Sequence, residues 1–126
     1  MNNHLYQKTL SIVKHRLATR RDIKGIEERD GFIIEKTCTG ENLWVPVEDI
    51  EKYKEYIDKK KEKLFIAISY YNGLVEDILR IMNGSPKELN IVIFIDNDIK
   101  MINPYILSRY PDPERALRTI LLENGA

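Results

Sequence analysis

Two long apolar runs constrain the fold of this chain more than any other feature. Residues 64–70 and 89–95 each have the length of a strand and almost no polar alternation. Runs of this kind are typical of strands that are covered on both faces, as in parallel sheets. The segment between them carries an apolar stripe at helical spacing, formed by Leu74, Val75, Ile78, Leu79 and Met82. The pattern predicts a right-handed strand–helix–strand unit at the centre of a sheet.

The segments around this unit predict a small mixed sheet with helices packed on it. A helix is expected over residues 5–18 and a short helical turn from Thr19 to Ile26. Residues 32–38 and 43–47 flank a Gly-containing loop and predict a β-hairpin. The sequence therefore indicates an α/β fold, a single domain over residues 1–126, with about five strands.

The remaining elements follow from local patterns. Residues 48–63 predict a long polar helix, and residues 99–102 a short edge strand. Asp112-Pro113 is a strong start for a last helix, expected to stop at Asn124-Gly125.

Composition narrows the class of protein. Lys and Arg number 20, as do Asp and Glu, so the formal net charge is zero. This balance argues against a protein that coats nucleic acid with uniform positive charge, but it allows a local basic patch. The single cysteine, Cys38, excludes an internal disulfide and favours a reducing intracellular setting, cytoplasmic or nuclear. The chain has neither an apolar signal core nor a run of about 20 apolar residues, so we expect a protein that is neither secreted nor membrane-bound.

Two basic runs are candidates for contact with phosphates. Arg20 and Arg21, with Lys24, follow the first helix, and Lys59-Lys60-Lys61 stand near the end of the long polar segment. Cationic side chains give sequence-independent, salt-sensitive affinity for nucleic acid. For the lysine run, a solvated helix face balanced by neighbouring Glu is the preferred interpretation. Arg20, Arg21 and Lys24 are predicted to bind phosphate.

The loop after the first central strand is a second candidate. Tyr71, Asn72 and Gly73 precede the crossover helix, where free backbone N–H groups at a helix start can meet phosphate. The chain has neither G-x-x-x-x-G-K nor G-x-G-x-x-G, which argues against a nucleotide-binding loop. The hypothesis is that amides at Asn72 and Gly73 contact a nucleic-acid backbone, helped by the basic residues 20–24.

An acidic turn after the second central strand suggests an alternative. Asp96 and Asp98 could hold Mg²⁺ through oxygen, with Lys100 steadying an attacking water, as in metal-dependent nucleases. Asp22-Ile23-Lys24 repeats the same D-x-K spacing, which shows how readily the pattern arises. Asp-Asn-Asp is also a sequence that tight turns favour. No cofactor is expected unless this Mg²⁺-dependent alternative holds.

Four stretches together carry a resemblance to a known family. They are the leading helix over residues 6–17, the strand Asn42-Leu43-Trp44-Val45-Pro46-Val47, the strand 64–70 with its loop, and residues 89–104 ending in Asn103-Pro104. In this order they resemble the N-terminal jaw domain of the fifth subunit shared by eukaryotic and large-DNA-virus RNA polymerases. The resemblance implies a nuclease-like fold without an active site, a role in holding duplex DNA ahead of a polymerase, and a viral or eukaryotic transcription setting. The family's DNA-facing loop is Thr-Pro-Ser-Ala-like, whereas this chain has Tyr71-Asn72-Gly73-Leu74.

The sequence thus predicts a non-enzymatic domain that binds nucleic acid or a multi-subunit polymerase. A small Mg²⁺-dependent nuclease is one alternative. A protein-interaction module, such as a host-factor antagonist without a nucleic-acid role, is the other.

Overall fold

The computed structural model describes the backbone of residues 3–122 and the side chains of residues 3–121. Six strands form one mixed sheet, with helices on both faces. The elements are α1 (Asn3–Thr19), β1 (Ile23–Arg29), β2 (Phe32–Thr37), β3 (Glu41–Pro46), a 3-10 helix (Ile50–Tyr56), β4 (Lys63–Ser69), α2 (Leu74–Met82), β5 (Leu89–Ile95), β6 (Asp98–Ile102), α3 (Pro104–Leu107) and α4 (Pro113–Leu122).

The strands lie in the sheet in the order in which they occur along the chain. β1, β2 and β3 form an antiparallel meander, β3, β4 and β5 are parallel, and β6 returns antiparallel to β5. The predicted central pair is confirmed, since β4 and β5 run side by side from Leu64 opposite Leu89 to Ser69 opposite Phe94. The predicted hairpin of β2 and β3 is also confirmed.

Alternate residues of the strands bury two separate apolar layers. On the α1 face, Trp44 and Phe65 stack with ring centroids 4.0 Å apart, beneath Leu10 and Val13 of α1. The opposite face is thicker and is covered by the 3-10 helix, α2, α3 and α4. Because both faces of β4 are covered, its run of consecutive apolar residues is buried throughout.

The segment after α1 is a strand, so the short helical turn predicted from Thr19 to Ile26 is wrong. β1 pairs with β2 over its length, with a register shift between Ile23 and Gly25. Ile23 is buried and Ile26 packs against the α1-face core. Pairing along the edge of the β2–β3 hairpin therefore overrides a weak helical pattern, and it adds the sixth strand.

The long polar helix predicted over residues 48–63 is also wrong. Only Ile50–Tyr56 is helical, and it is a 3-10 helix whose start is capped by Asp49, which accepts a hydrogen bond from the Glu51 N–H at 3.0 Å. Ile50 and Tyr53 are both buried, and their spacing of three matches the three-residue turn of this helix type. Consecutive lysines follow with little to bury, so the chain continues irregularly to β4.

The last helix begins as predicted. Asp112 accepts a hydrogen bond from the Arg115 N–H at 3.1 Å, as a residue that caps a helix start does. The end expected at Asn124-Gly125 lies outside the described residues. None of the described helices has the length and apolar character that crossing a bilayer requires.

Candidate nucleic-acid interface

Three connecting segments meet where β3, β4 and β5 begin, which we call the amino edge of the sheet. They are residues 20–22 before β1, residues 38–40 between β2 and β3, and residues 59–62 before β4. The Cys38 N–H donates to the Asp22 carbonyl at 3.1 Å, which fixes the first segment against the second. This edge therefore brings together two basic runs that are distant in the sequence.

Glu62 joins the third segment to the second. Its carboxylate accepts hydrogen bonds from the Thr37 hydroxyl and from the Thr39 hydroxyl, the latter at 2.5 Å. Its N–H donates to the Glu41 carbonyl at 2.7 Å. The Thr37 hydrogen bond, with that of Thr39, lowers the pKa of Glu62, so this carboxylate stays ionised. Gly40 permits the close approach, because a Cβ there would stand 3.0 Å from the Glu62 side chain.

Several cations of this edge form no ion pair with another described residue. Arg20 is paired with Asp22, with Nε 3.1 Å from Oδ1. In contrast, Arg21, Lys24 and Lys60 are exposed and form no ion pair with any described residue. We name the following set the basic edge: Arg20, Arg21, Lys24, Lys59, Lys60, Lys61 and Lys63.

Lys61 has a structural role within this set. Its Nζ donates to the Ile57 carbonyl at 2.7 Å and to the Lys59 carbonyl at 3.0 Å, which closes the turn after the 3-10 helix. Partial burial lowers the pKa of Lys61. Lys59 lies over the Tyr56 ring, with its Nζ 5.9 Å from the centroid. These contacts restrict the conformation of the lysine run.

The other predicted phosphate-binding residues lie at the opposite, carboxyl edge of the sheet. Tyr71, Asn72 and Gly73 follow the end of β4, where the Tyr70 N–H donates to the Phe94 carbonyl at 2.8 Å. The structure therefore does not bring them together with Arg20, Arg21 and Lys24, which lie at the start of β1.

The start of α2 has an electrostatic character that disfavours phosphate. Gly73 takes a left-handed conformation, with φ of 106°, and offers no side chain as a cap. Glu76 and Asp77 occupy the first helical turn and supply the negative charge that a helix N-terminus attracts. Asp77 also accepts a hydrogen bond from the Tyr71 hydroxyl. Phosphate binding by Asn72 and Gly73 stays a prediction that this geometry does not strengthen.

The acidic turn is a tight hairpin between β5 and β6. Asp96 adopts φ of 53°, a positive value of the kind that two-residue hairpin loops require. Asp98 lies 3.3 Å from the Lys100 Nζ and accepts the Ile99 N–H at 2.8 Å. Among the described residues, no three His, Cys, Asp or Glu side chains are grouped so that they could hold a metal ion. The Mg²⁺ alternative thus gains no support from this turn.

A buried ionic cluster on the α1 face was not anticipated from the sequence. Glu35 is fully buried, and its carboxylate accepts hydrogen bonds from Arg16, from Asn42 at 2.9 Å and from the Trp44 indole at 3.2 Å. Arg16 binds it through two nitrogens, at 2.7 and 3.1 Å, and lies over the Trp44 ring. All of these donors are used internally, so the cluster acts to fix α1 on the sheet.

The two histidines and the cysteine lie at exposed positions. His4 and His15 are exposed on α1. Cys38, which the pattern placed at the end of a strand, is instead exposed in the turn after β2. The strand ends at Thr37, one residue earlier than the pattern suggested.

Comparison of this chain with protein-family models, with curated proteins and with solved structures gives no match. The resemblance to the polymerase jaw domain therefore stays a prediction, and the functional argument depends on the geometry of the basic edge.

Proposed function

We propose that this protein is a non-enzymatic domain that binds nucleic acid through the phosphate backbone, using the basic edge. The observation that carries the proposal is the convergence of residues 20–24 with residues 59–63 on one edge of the sheet. The hydrogen bonds of Cys38 and Glu62 hold these two segments in place. The convergence gives a local positive surface on a chain of zero net charge.

The size of the basic edge suits a duplex backbone. β1 and β4 are separated by three strand spacings, or roughly 14 Å at about 4.8 Å each. That span corresponds to about four base-pair steps of 3.4 Å. Lysine and arginine at this spacing position a backbone without reading bases, so we expect binding that depends on salt and not on sequence.

The finer form of the proposal is a jaw-like module that holds downstream DNA for an RNA polymerase. The resemblance noted above favours it. In this chain, however, the acidic start of α2 follows the loop that the resemblance assigns to DNA. We therefore place the DNA contact at the basic edge.

Titration of a labelled duplex of random sequence, followed by fluorescence anisotropy, tests the proposal. We expect a dissociation constant on the order of 10⁻⁴ to 10⁻⁶ M, as for other non-specific binding, and a log–log salt slope of about −4. Replacing Arg21, Lys24 and Lys60 together by Gln should weaken binding at least tenfold and make the slope shallower by about 2 to 3 units.

The matched control is a triple substitution elsewhere with the same change of charge. Lys52→Gln, Lys54→Gln and Arg115→Gln remove three exposed cations from the 3-10 helix and α4. This control should keep most of the affinity. Equal losses in the two triple variants, or no binding at low salt, would contradict the proposal. Cleavage of the duplex in Mg²⁺ that is abolished by Asp98→Ala would establish the nuclease alternative instead.

A further inference from the structure

The strongly exposed large hydrophobic side chains of the described chain fall in one short region. Ile99 and Met101 are 48% and 47% exposed, and Ile106 and Tyr110 are 54% and 50% exposed. The first two lie on β6, opposite Phe94 and Val92 of β5, and therefore on the α1 face. Ile106 and Tyr110 lie on and just after α3, which covers the opposite face, so the exposed apolar group on β6 consists of Ile99 and Met101. Two neighbouring exposed apolar side chains on one strand favour an interaction surface there.

Within the part of the chain that the structure describes, β6 is also an open edge of the sheet, because it is the last strand in order and pairs with β5 alone. A two-residue loop pairs Ile95 with Asp98, so backbone groups of Asp98 and Lys100 face β5, while those of Ile99 and Met101 face outward. Accordingly, the Ile99 N–H donates to the Asp98 side chain at 2.8 Å. An outward row of backbone groups is a template for pairing with another strand, which would replace the Asp98 side chain as the acceptor of the Ile99 N–H.

Charge favours one register over its neighbour for the pairing of a second β6 with the first. A symmetric antiparallel pair must be centred on one residue, and paired side chains lie on the same face. Centring on Lys100 would set two lysines directly opposite each other, which is destabilising. Centring on Ile99 sets Asp98 of each copy opposite Lys100 of the other, and it places the two Ile99 side chains opposite each other.

We propose that β6 is a homodimer interface, in which a second copy of this chain pairs antiparallel in the register centred on Ile99. The two six-stranded sheets would become one continuous sheet. Lys100 on an isolated edge strand opposes pairing, and within one copy it already lies 3.3 Å from Asp98. In this register Asp98 of the second copy adds a further opposite charge beside it. The inference stands independently of nucleic-acid binding, and its test contains no nucleic acid.

Sedimentation velocity of the full chain tests the interface. We expect a concentration-dependent shift from the 14.8 kDa monomer to a dimer. The dissociation constant should be on the order of 10 to 100 μM, because a five-residue edge is smaller than a standard interface. Asp98→Lys alone and Lys100→Asp alone should each weaken dimerisation at least tenfold, since each puts like charges opposite each other. An equimolar mixture of the two variants should form a heterodimer, because both cross-strand pairs then join opposite charges.

Two controls separate this effect from a general change of charge or fold. Glu48→Lys and Arg115→Asp make the same kinds of reversal away from β6 and should leave the dimer unchanged. Thermal melts establish that each variant is folded, and the recovery on mixing requires folded partners in any case. A chain that stays monomeric up to about 1 mM overturns the proposal, as do single variants that dimerise normally. Failure of the mixture to associate overturns the register.

Discussion

At the scale of single residues, Glu35 has the most demanding environment in the described chain. One of its carboxylate oxygens, Oε1, accepts hydrogen bonds from three side chains: Arg16 on α1, and Asn42 and Trp44 on β3. A buried carboxylate without such partners would be strongly destabilising. The cluster therefore specifies how α1 sits on the sheet, and with it where Arg20 and Arg21 emerge.

Removing this carboxylate should be costly. Glu35→Ala leaves Arg16, Asn42 and Trp44 without their acceptor, and we expect the free energy of unfolding to fall by about 3 to 5 kcal/mol. Glu35→Gln keeps an oxygen for Asn42 and Trp44 and should cost roughly half as much. Chemical denaturation of both variants measures the difference. Equal stability of Glu35→Ala and the natural chain would show that the cluster does not hold α1.

The hydrogen bond from Tyr71 to Asp77 should stabilise the fold only within a window of pH. Burial, together with Asp77, raises the pKa of Tyr71 from 10.0 to about 12. The Tyr71 hydrogen bond in turn lowers the pKa of Asp77 below its usual 3.8. A raised tyrosine pKa contributes stability below pH 10 that is lost as pH rises towards 12. A lowered aspartate pKa contributes stability above about pH 4 that is lost as pH falls through the folded value.

Tyr71→Phe tests this window. The variant should be less stable by about 1 kcal/mol at pH 7, the net value of one such hydrogen bond. The difference should shrink both below pH 4 and above pH 10. Denaturation curves across pH measure it, with Tyr70→Phe as the control. A difference that is constant across the whole range would show that the hydroxyl acts through packing and not through Asp77.

The sequence could identify some site residues but not the way in which they combine. Arg20 and Arg21 stand out by composition alone, because cations cluster there without apolar neighbours. The placement of Tyr71 at a strand end could also be predicted, since it follows from the apolar run. That Tyr71 and the two arginines lie at opposite edges of the sheet could not be predicted, because it depends on the direction of β1, which was predicted as helix.

At the scale of elements, β1 and the 3-10 helix show where local patterns mislead. Both segments have few apolar residues, so their conformation is decided by the neighbours on which those residues pack. Ile23 and Ile26 lie on a strand that pairs with β2, and Ile26 also packs on the α1-face core. Tyr53 packs in the core of the opposite face. The apolar runs of β4 and β5, in contrast, leave few alternatives, and their parallel pairing was predictable.

The Thr39–Glu62 hydrogen bond is one of the contacts between elements that hold the basic edge. Thr39→Val removes the hydroxyl with little change of volume, and we expect the amides of residues 59–62 to exchange several-fold faster with solvent. Hydrogen exchange measured by NMR gives the rates residue by residue. Thr39→Ser keeps the hydroxyl and should exchange like the natural chain. Identical exchange in Thr39→Val would mean that the lysine segment is held without this contact.

At the scale of the whole molecule, zero net charge conceals an uneven distribution of charge. The amino edge carries the seven basic residues described above, together with Asp22 and Glu62. The carboxyl edge has a cavity of about 550 Å³ at the end of β3, and its lining includes one cation, Lys52, and four carboxylates: Asp30, Glu48, Asp49 and Glu55. Asp96 and Asp98 lie at the same edge. A polyanion should therefore approach the molecule from one side.

Chemical-shift mapping on the isotope-labelled full chain tests this central claim most directly. The chain is titrated with a duplex of about 16 base pairs in low salt, because low ionic strength weakens the screening of contacts between cations and phosphates. We predict that the perturbed amides lie in residues 20–24, 38–40 and 59–63, and that they recover as salt is added. Perturbations centred instead on residues 71–73 or 96–98, or none at all, would contradict the account.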